Sequence, residues 1–155
     1  MAGHVDGAGH DNGDASYLEL VEFIVRNGAR VSEDLEELWR RVVFYICVSN
    51  TDDHLRNHGF LLSDQGWELS PAYDINPNPA GAGLKLNISE TDNSLELEVA
   101  LSVIEHFRVT RRRADEIVNR IKGAVSQWEK AAKKMNLSSK DRDMMRPAFS
   151  AAREH

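Results

Sequence analysis

The sequence predicts a mainly α-helical domain with one small β-hairpin, and three observations carry this. Apolar residues recur at helical spacing from Leu35 to Cys47, they recur again after Thr110, and between these runs "GFLLSDQGWELS" sets two short apolar stretches around a glycine turn. At 155 residues, with 41% hydrophobic and 28% charged, the chain suits one globular domain with a sizeable core.

Residues 1–15 are mostly Gly, Asp, His and Ala, so burial cannot offset the entropy of ordering them; a flexible tail is expected there, with the folded domain over 16–155. Leu18 to Val25 form a short helix, and Gly28 is expected to stop it in the left-handed conformation. A second helix starts with Ser32 as its cap, followed by Glu33 and Asp34, which suit the positive end of a helix. Its second half, where Phe44, Tyr45 and Val48 fill the remaining faces, is expected to be buried nearly all round.

The hairpin runs from Gly59 to Ser70, with Gly66 supplying the positive φ of a tight turn. Pro71, Pro77 and Pro79 then block regular structure, and "LKLNIS" reads as a further short strand. A helix is expected from Leu95 to Phe107, a long one from its cap Thr110 to Asn136, and a last one from Ser138 with Asp141 three positions on. The chain has no internal repeat.

Charge is divided along the chain. Residues 1–107 carry 6 Lys/Arg against 19 Asp/Glu, whereas residues 108–142 carry 11 against 4. The basic segment reads as a solvated helix face, with an acidic partner or nucleic acid as the alternative. The single cysteine, Cys47, lies in an apolar run, which excludes an internal disulfide framework and fits a small buried hydrophobe in a reducing compartment. No basic n-region or apolar leader segment opens the chain, and no stretch is apolar enough to span a bilayer. A soluble, cytoplasmic protein with no membrane partner is expected.

Between the buried helix and the hairpin, "SNTDDHLRNHGFLL" crowds acids, histidines, an arginine and an asparagine. Asp52 and Asn57 lie five residues apart, and the hairpin returns the chain so that Asp74 can face the same spot. Two carboxylates and an amide oxygen, completed by waters and phosphate oxygens, form a donor set for a hard cation such as Mg²⁺. In protein kinases the catalytic loop reads H-R-D-x-x-x-x-N, with the Asp receiving the substrate hydroxyl proton and the Asn and a later Asp holding Mg²⁺. Asp52 to Asn57 has that D-x-x-x-x-N spacing, although Asn50 and Thr51 stand in place of His-Arg, and Ile75 and Asn76 follow Asp74 in place of Phe-Gly.

"SNTDDHLRNHGFLL" followed by "LSPAYDINP" closely resembles the HipA-type serine/threonine kinases, bacterial toxin-type kinases whose signature is N-x-D-x-H-x-K-N and then P-x-Y-D. "SYLELVEFI" and the helix bearing Trp128 fit the C-terminal lobe of that family, so the resemblance covers about residues 16 to 135. It implies a protein-kinase-like C-terminal lobe in which Asp52 is the catalytic aspartate, His54 orders the loop, and Asn57 and Asp74 are the Mg²⁺ ligands through which ATP is held. Arg56 stands where the family shows lysine, keeping the charge with different donor geometry. The implied partners are a protein substrate and an antitoxin-like DNA-binding protein.

Other readings stay open at this stage. Asp52, Asn57 and Asp74 are each common turn residues. His54 and His58 could be zinc ligands on one helix face, but no glutamate or third ligand accompanies them; His58 is otherwise expected to face solvent and Tyr73 to pack beside Asp74. Trp39, Trp67 and Trp128 fall on separate elements, which favours packing over a base-stacking platform. The first lysine is Lys85, after the whole motif, so the N-terminal-lobe lysine of a kinase is not supplied upstream of it. The expectation is a lobe without its N-lobe, with an uncovered face that favours self-association, and a catalytically silent interaction module or a metal-dependent phosphoesterase as alternatives.

Overall fold

The computed structural model describes residues 15–153. The flexible tail expected for residues 1–15 therefore lies, Ala15 apart, outside the described residues. Among the described residues the architecture is mainly helical with one two-stranded antiparallel hairpin.

Helix α1 (Tyr17–Asn27) opens on a capping box: the Ser16 hydroxyl accepts from the Leu18 N–H at 3.1 Å and the Ser16 N–H donates to Glu19 Oε1 at 3.2 Å. Gly28 ends it, but not as expected. Its φ of −73° is extended, and glycine is needed because a Cβ there would stand 2.5 Å from the Ile24 carbonyl oxygen that the Gly28 N–H caps.

Helix α2 (Val31–Val48) is the centre of the fold, burying Leu35, Leu38, Trp39, Val42, Val43, Ile46 and Cys47. Ser32 is not its cap; Arg30, two residues earlier, stands at the cap position with no side-chain cap bond, and Glu33 and Asp34 complement the N-terminal end. Trp39 donates its indole N–H to the Ala100 carbonyl at 2.9 Å, fixing α2 to α3 (Leu97–Ser102). Ser49, at φ 54° and ψ 50°, turns the chain out of α2, and its hydroxyl donates to the Ala148 carbonyl at 2.8 Å.

Strands β1 (Phe60–Ser63) and β2 (Gly66–Leu69) pair Phe60 with Leu69 and Ser63 with Gly66, and Gly66 has the expected positive φ, at 134°. The hairpin is tied to α2, since buried Asp34 accepts the Leu69 N–H at 2.9 Å and buried Arg41 donates to the Ser70 carbonyl at 2.6 Å. It also docks on the α1–α2 junction, where the Ala29 N–H donates to the Trp67 carbonyl and Phe23 packs on Phe60 at 4.5 Å between ring centroids. These ties hold the hairpin end of the polar loop, and the Ser49 bond to Ala148 holds the other.

The "LKLNIS" segment forms no strand. Its alternation does bury Leu84, Leu86 and Ile88, but its β-pairing is confined to an isolated parallel bridge, Ser16 to Asn87, and its other backbone bonds are turn bonds to Asp92 and Asn93. The helix expected from Leu95 to Phe107 is confined to α3, where the Ser102 hydroxyl bonds back to the Val99 carbonyl and competes with the helical pattern. Val103, Phe107 and Val109 are buried from the turns that follow. The long helix after Thr110 is two: α4 (Arg111–Val125), capped by the Thr110 hydroxyl, and α5 (Trp128–Lys134), separated where the Ser126 hydroxyl bonds the Gly123 carbonyl. Asn136 leaves α5 at φ 60°, and Ser138 caps α6 (Ser139–Met145) by accepting the Asp141 N–H. Trp128 stacks on Phe149 at 4.4 Å.

Candidate active site

The polar loop begins where α2 stops, because the left-handed Ser49 lets the Asn50 N–H bond the Tyr45 carbonyl and ends the helical ladder. Asp52 follows at the surface, its side chain 90% exposed, with one carboxylate oxygen 3.1 Å from His54 Nε2. His54 then links outward and inward groups: its backbone N–H donates to Asn57 Oδ1 at 2.8 Å. A single 3₁₀ turn (Leu55–Asn57) buries Leu55 and carries Asn57 below the surface.

Asn57 reaches Asp74 as the sequence spacing anticipates, donating from Nδ2 to Asp74 Oδ2 at 2.9 Å. Asp74 sits at φ 56°, a left-handed conformation that Asp tolerates better than most residues. It is held there by two amides, Asn57 on Oδ2 and Asn76 on Oδ1 at 3.0 Å, while the Asn76 N–H is anchored to Asn50 Oδ1 at 3.1 Å. Asp52, His54, Asn57 and Asp74 thus form one connected line. The Arg56 side chain is exposed, and its carbonyl accepts the Tyr73 hydroxyl at 2.8 Å, so Tyr73 spans the two loops rather than packing on Asp74 alone.

His58 is not solvent-facing. Its side chain is fully buried, with Nε2 2.6 Å from Asp53 Oδ2, and the Tyr17 hydroxyl donates to that same oxygen at 2.8 Å. Burial first, then the Asp53 charge, holds the Tyr17 hydroxyl well above its usual pKa, and the same two causes raise Tyr45. The two histidines engage different aspartates, on opposite sides of the loop, and so do not form the zinc pair that their spacing allowed. Among the described residues no group of three or more His, Cys, Asp or Glu side chains is arranged to hold a metal.

Sequence reasoning missed Asp53, His58, Asn50, Asn76 and Tyr17. A signal existed for the first two: Asp53 and His58 repeat, one residue later, the five-residue spacing of Asp52 and Asn57. Nothing local marks Tyr17, which arrives from another helix.

Comparison with known proteins decides the family. The model of the HipA-like C-terminal domain matches residues 2–128. The chain belongs to the HipA-like C-terminal domain family. A protein from Sinorhizobium fredii named "Putative kinase Y4mE" is 32% identical over 63 residues, covering 41% of this chain and 15% of that protein. The chain therefore corresponds to a small part of that relative's length.

Asn57 and Asp74 carry oxygen donors of the kind that a hard divalent cation takes. Asp74 is exposed and, with each oxygen taking one amide donor, keeps lone pairs on both; Asn57 Oδ1 keeps one beside its bond from His54. As oriented here, Asn57 turns its amide N–H to Asp74 and its Oδ1 to the His54 N–H.

Proposed function

We propose that this chain is the phosphotransfer lobe of a HipA-like, Mg²⁺- and ATP-dependent serine/threonine protein kinase. The observation that carries the reading is the line from exposed Asp52, through His54, to the contact between Asn57 and Asp74. Asp52 is free on its solvent side to accept the proton of a substrate hydroxyl, and His54 fixes its carboxylate from behind. Asn57 and Asp74 would hold Mg²⁺, which when bound neutralises charge on the ATP phosphates. Arg56 is exposed on the same turn, where a cation suits contact with phosphate.

The partner is a protein offering a Ser or Thr hydroxyl, with an antitoxin-like protein as a candidate regulator. Exposed Leu61 and Leu62 on the hairpin give a nucleotide-binding lobe, or a second copy, an apolar surface to cover. Within the basic segment Arg111, Arg112 and Arg113 are each paired with an acid of the chain, which lowers the charge that the start of α4 offers to DNA.

Phosphoryl transfer from labelled ATP, measured with the chain supplied with a lysine-bearing HipA-type N-terminal lobe, tests the reading. Asp52→Asn should abolish transfer while the far-ultraviolet circular dichroism is unchanged. Undiminished transfer by Asp52→Asn refutes the assignment.

A further inference from the structure

Asp52 and Asp53 are neighbours with opposite surroundings, one 90% exposed and the other 1% exposed. They share a planar peptide bond, so whatever anchors Asp53 inward restricts the positions open to Asp52. The anchors are specific. The Tyr17 hydroxyl reaches across from α1 and His58 Nε2 from the far end of the loop, both to Oδ2 of Asp53. The rings of Tyr17 and Tyr45 lie 5.8 Å and 6.2 Å from the His58 ring, the first edge-on, and confine the imidazole.

This arrangement closes the loop twice. Asp53 and His58 bracket residues 54–57, while the bond from the His54 N–H to Asn57 Oδ1 closes a shorter turn around residues 55 and 56. Tyr17, Asp53 and His58 bring three buried polar side chains to one oxygen, a desolvation cost that an apolar trio of similar volume would avoid. A role in packing alone does not account for these residue types.

We propose that Tyr17, Asp53 and His58 form a buried positioning unit for the phosphoryl-transfer site, setting where Asp52 stands and holding Asn57 against Asp74. The inference rests on the proposed function. None of the three touches the reacting atoms; they act through Asp52 and Asn57.

The test compares Tyr17→Phe, His58→Phe and His58→Gln, the last retaining an N–H donor near the position of Nε2. In the kinase assay above, the two phenylalanine variants should lower kcat about tenfold to a hundredfold, the usual result of slight misplacement at a phosphoryl-transfer site, with little change in KM for ATP. His58→Gln should recover most of the loss. In the chain alone, the side-chain amide signal of Asn57 in a ¹⁵N NMR spectrum should shift in both phenylalanine variants and return in His58→Gln. Should His58→Phe fail to fold, Tyr17→Phe, which loses only a hydroxyl, carries the test. Folded variants that keep both the wild-type kcat and the wild-type Asn57 signal overturn the inference. Asp52→Asn separates the two ideas: if it abolishes transfer while the positioning variants change neither readout, the inference alone falls. If it leaves transfer intact, the kinase reading falls, and the Asn57 signal still decides whether the unit positions that residue.

Discussion

Replacing Asn57 with alanine removes two bonds at once, the acceptor for the His54 N–H at 2.8 Å and the donor to Asp74 at 2.9 Å. The Asp74 carboxylate is exposed, so water takes over much of its share; the His54 N–H lies in a partly buried turn and is replaced less well. At about 0.5–1.5 kcal/mol for an ordinary bond and somewhat more where the acceptor is charged, the loss sums to about 1–3 kcal/mol. For a domain of this length that corresponds to a fall in Tm of roughly 3–10 °C. Asn57→Asp is the sharper companion, since it sets two carboxylates about 3 Å apart and should be destabilised by their repulsion. Millimolar Mg²⁺ should restore Asn57→Asp by more than it stabilises the parent chain, because a cation then occupies the place of the amide N–H. Urea unfolding followed by circular dichroism, with and without Mg²⁺, measures both variants. An Asn57→Ala chain within about 0.5 kcal/mol of the parent, or an Asn57→Asp chain indifferent to Mg²⁺, refutes the geometric reasoning.

Burial pushes the Cys47 thiol up to about 11, so its reaction with a disulfide reagent at mildly alkaline pH should be slow in the folded chain and fast in denaturant; equal rates would contradict its placement in α2. The Tyr17 hydroxyl is raised by burial and by Asp53, so its stabilising contribution is present below the unfolded value near 10 and lost as pH rises through the folded one. Alkaline unfolding of Tyr17→Phe, compared with the parent by circular dichroism, should therefore show a weaker loss of stability with rising pH. Glu36 is lowered chiefly by its hydrogen bond from Arg113, so its contribution is present above the usual carboxylate pKa and lost as pH falls through the folded value. Arg113→Ala should flatten that acid limb, with the size of the change falling as salt is added. Trp39→Phe removes the donor to the Ala100 carbonyl and should cost about 1–3 kcal/mol in urea unfolding.

Elements with strong local determinants could be read in the sequence. The α2 core stripe, the Gly66 turn, the Thr110 and Ser138 caps and the Asn136 stop all stand where spacing and residue type put them. Two of the misplaced boundaries share a feature, a local bond that competes with the helix: Ser102 to Val99 at the end of α3, and Ser126 to Gly123 between α4 and α5. "LKLNIS" shows a different limit, because alternation foretold its burial but could not tell that no neighbouring strand would pair with it. Within the site, the contact between Asn57 and Asp74 was legible from the order of loop, hairpin and acid. The burial of His58 was not, since it depends on Tyr17 arriving from a helix 41 positions earlier in the chain.

The central claim is that Asp52, Asn57 and Asp74 make one metal-assisted phosphoryl-transfer site. Titrating Mn²⁺, as a paramagnetic stand-in for Mg²⁺, into the ¹⁵N-labelled chain tests it most directly. Broadening that begins at Asn57 and Asp74, spreads next to Asp52 and is relieved by excess Mg²⁺ is the predicted result; broadening centred on other acids, such as Glu36 and Glu37, with the Asn57 and Asp74 signals intact, would contradict it.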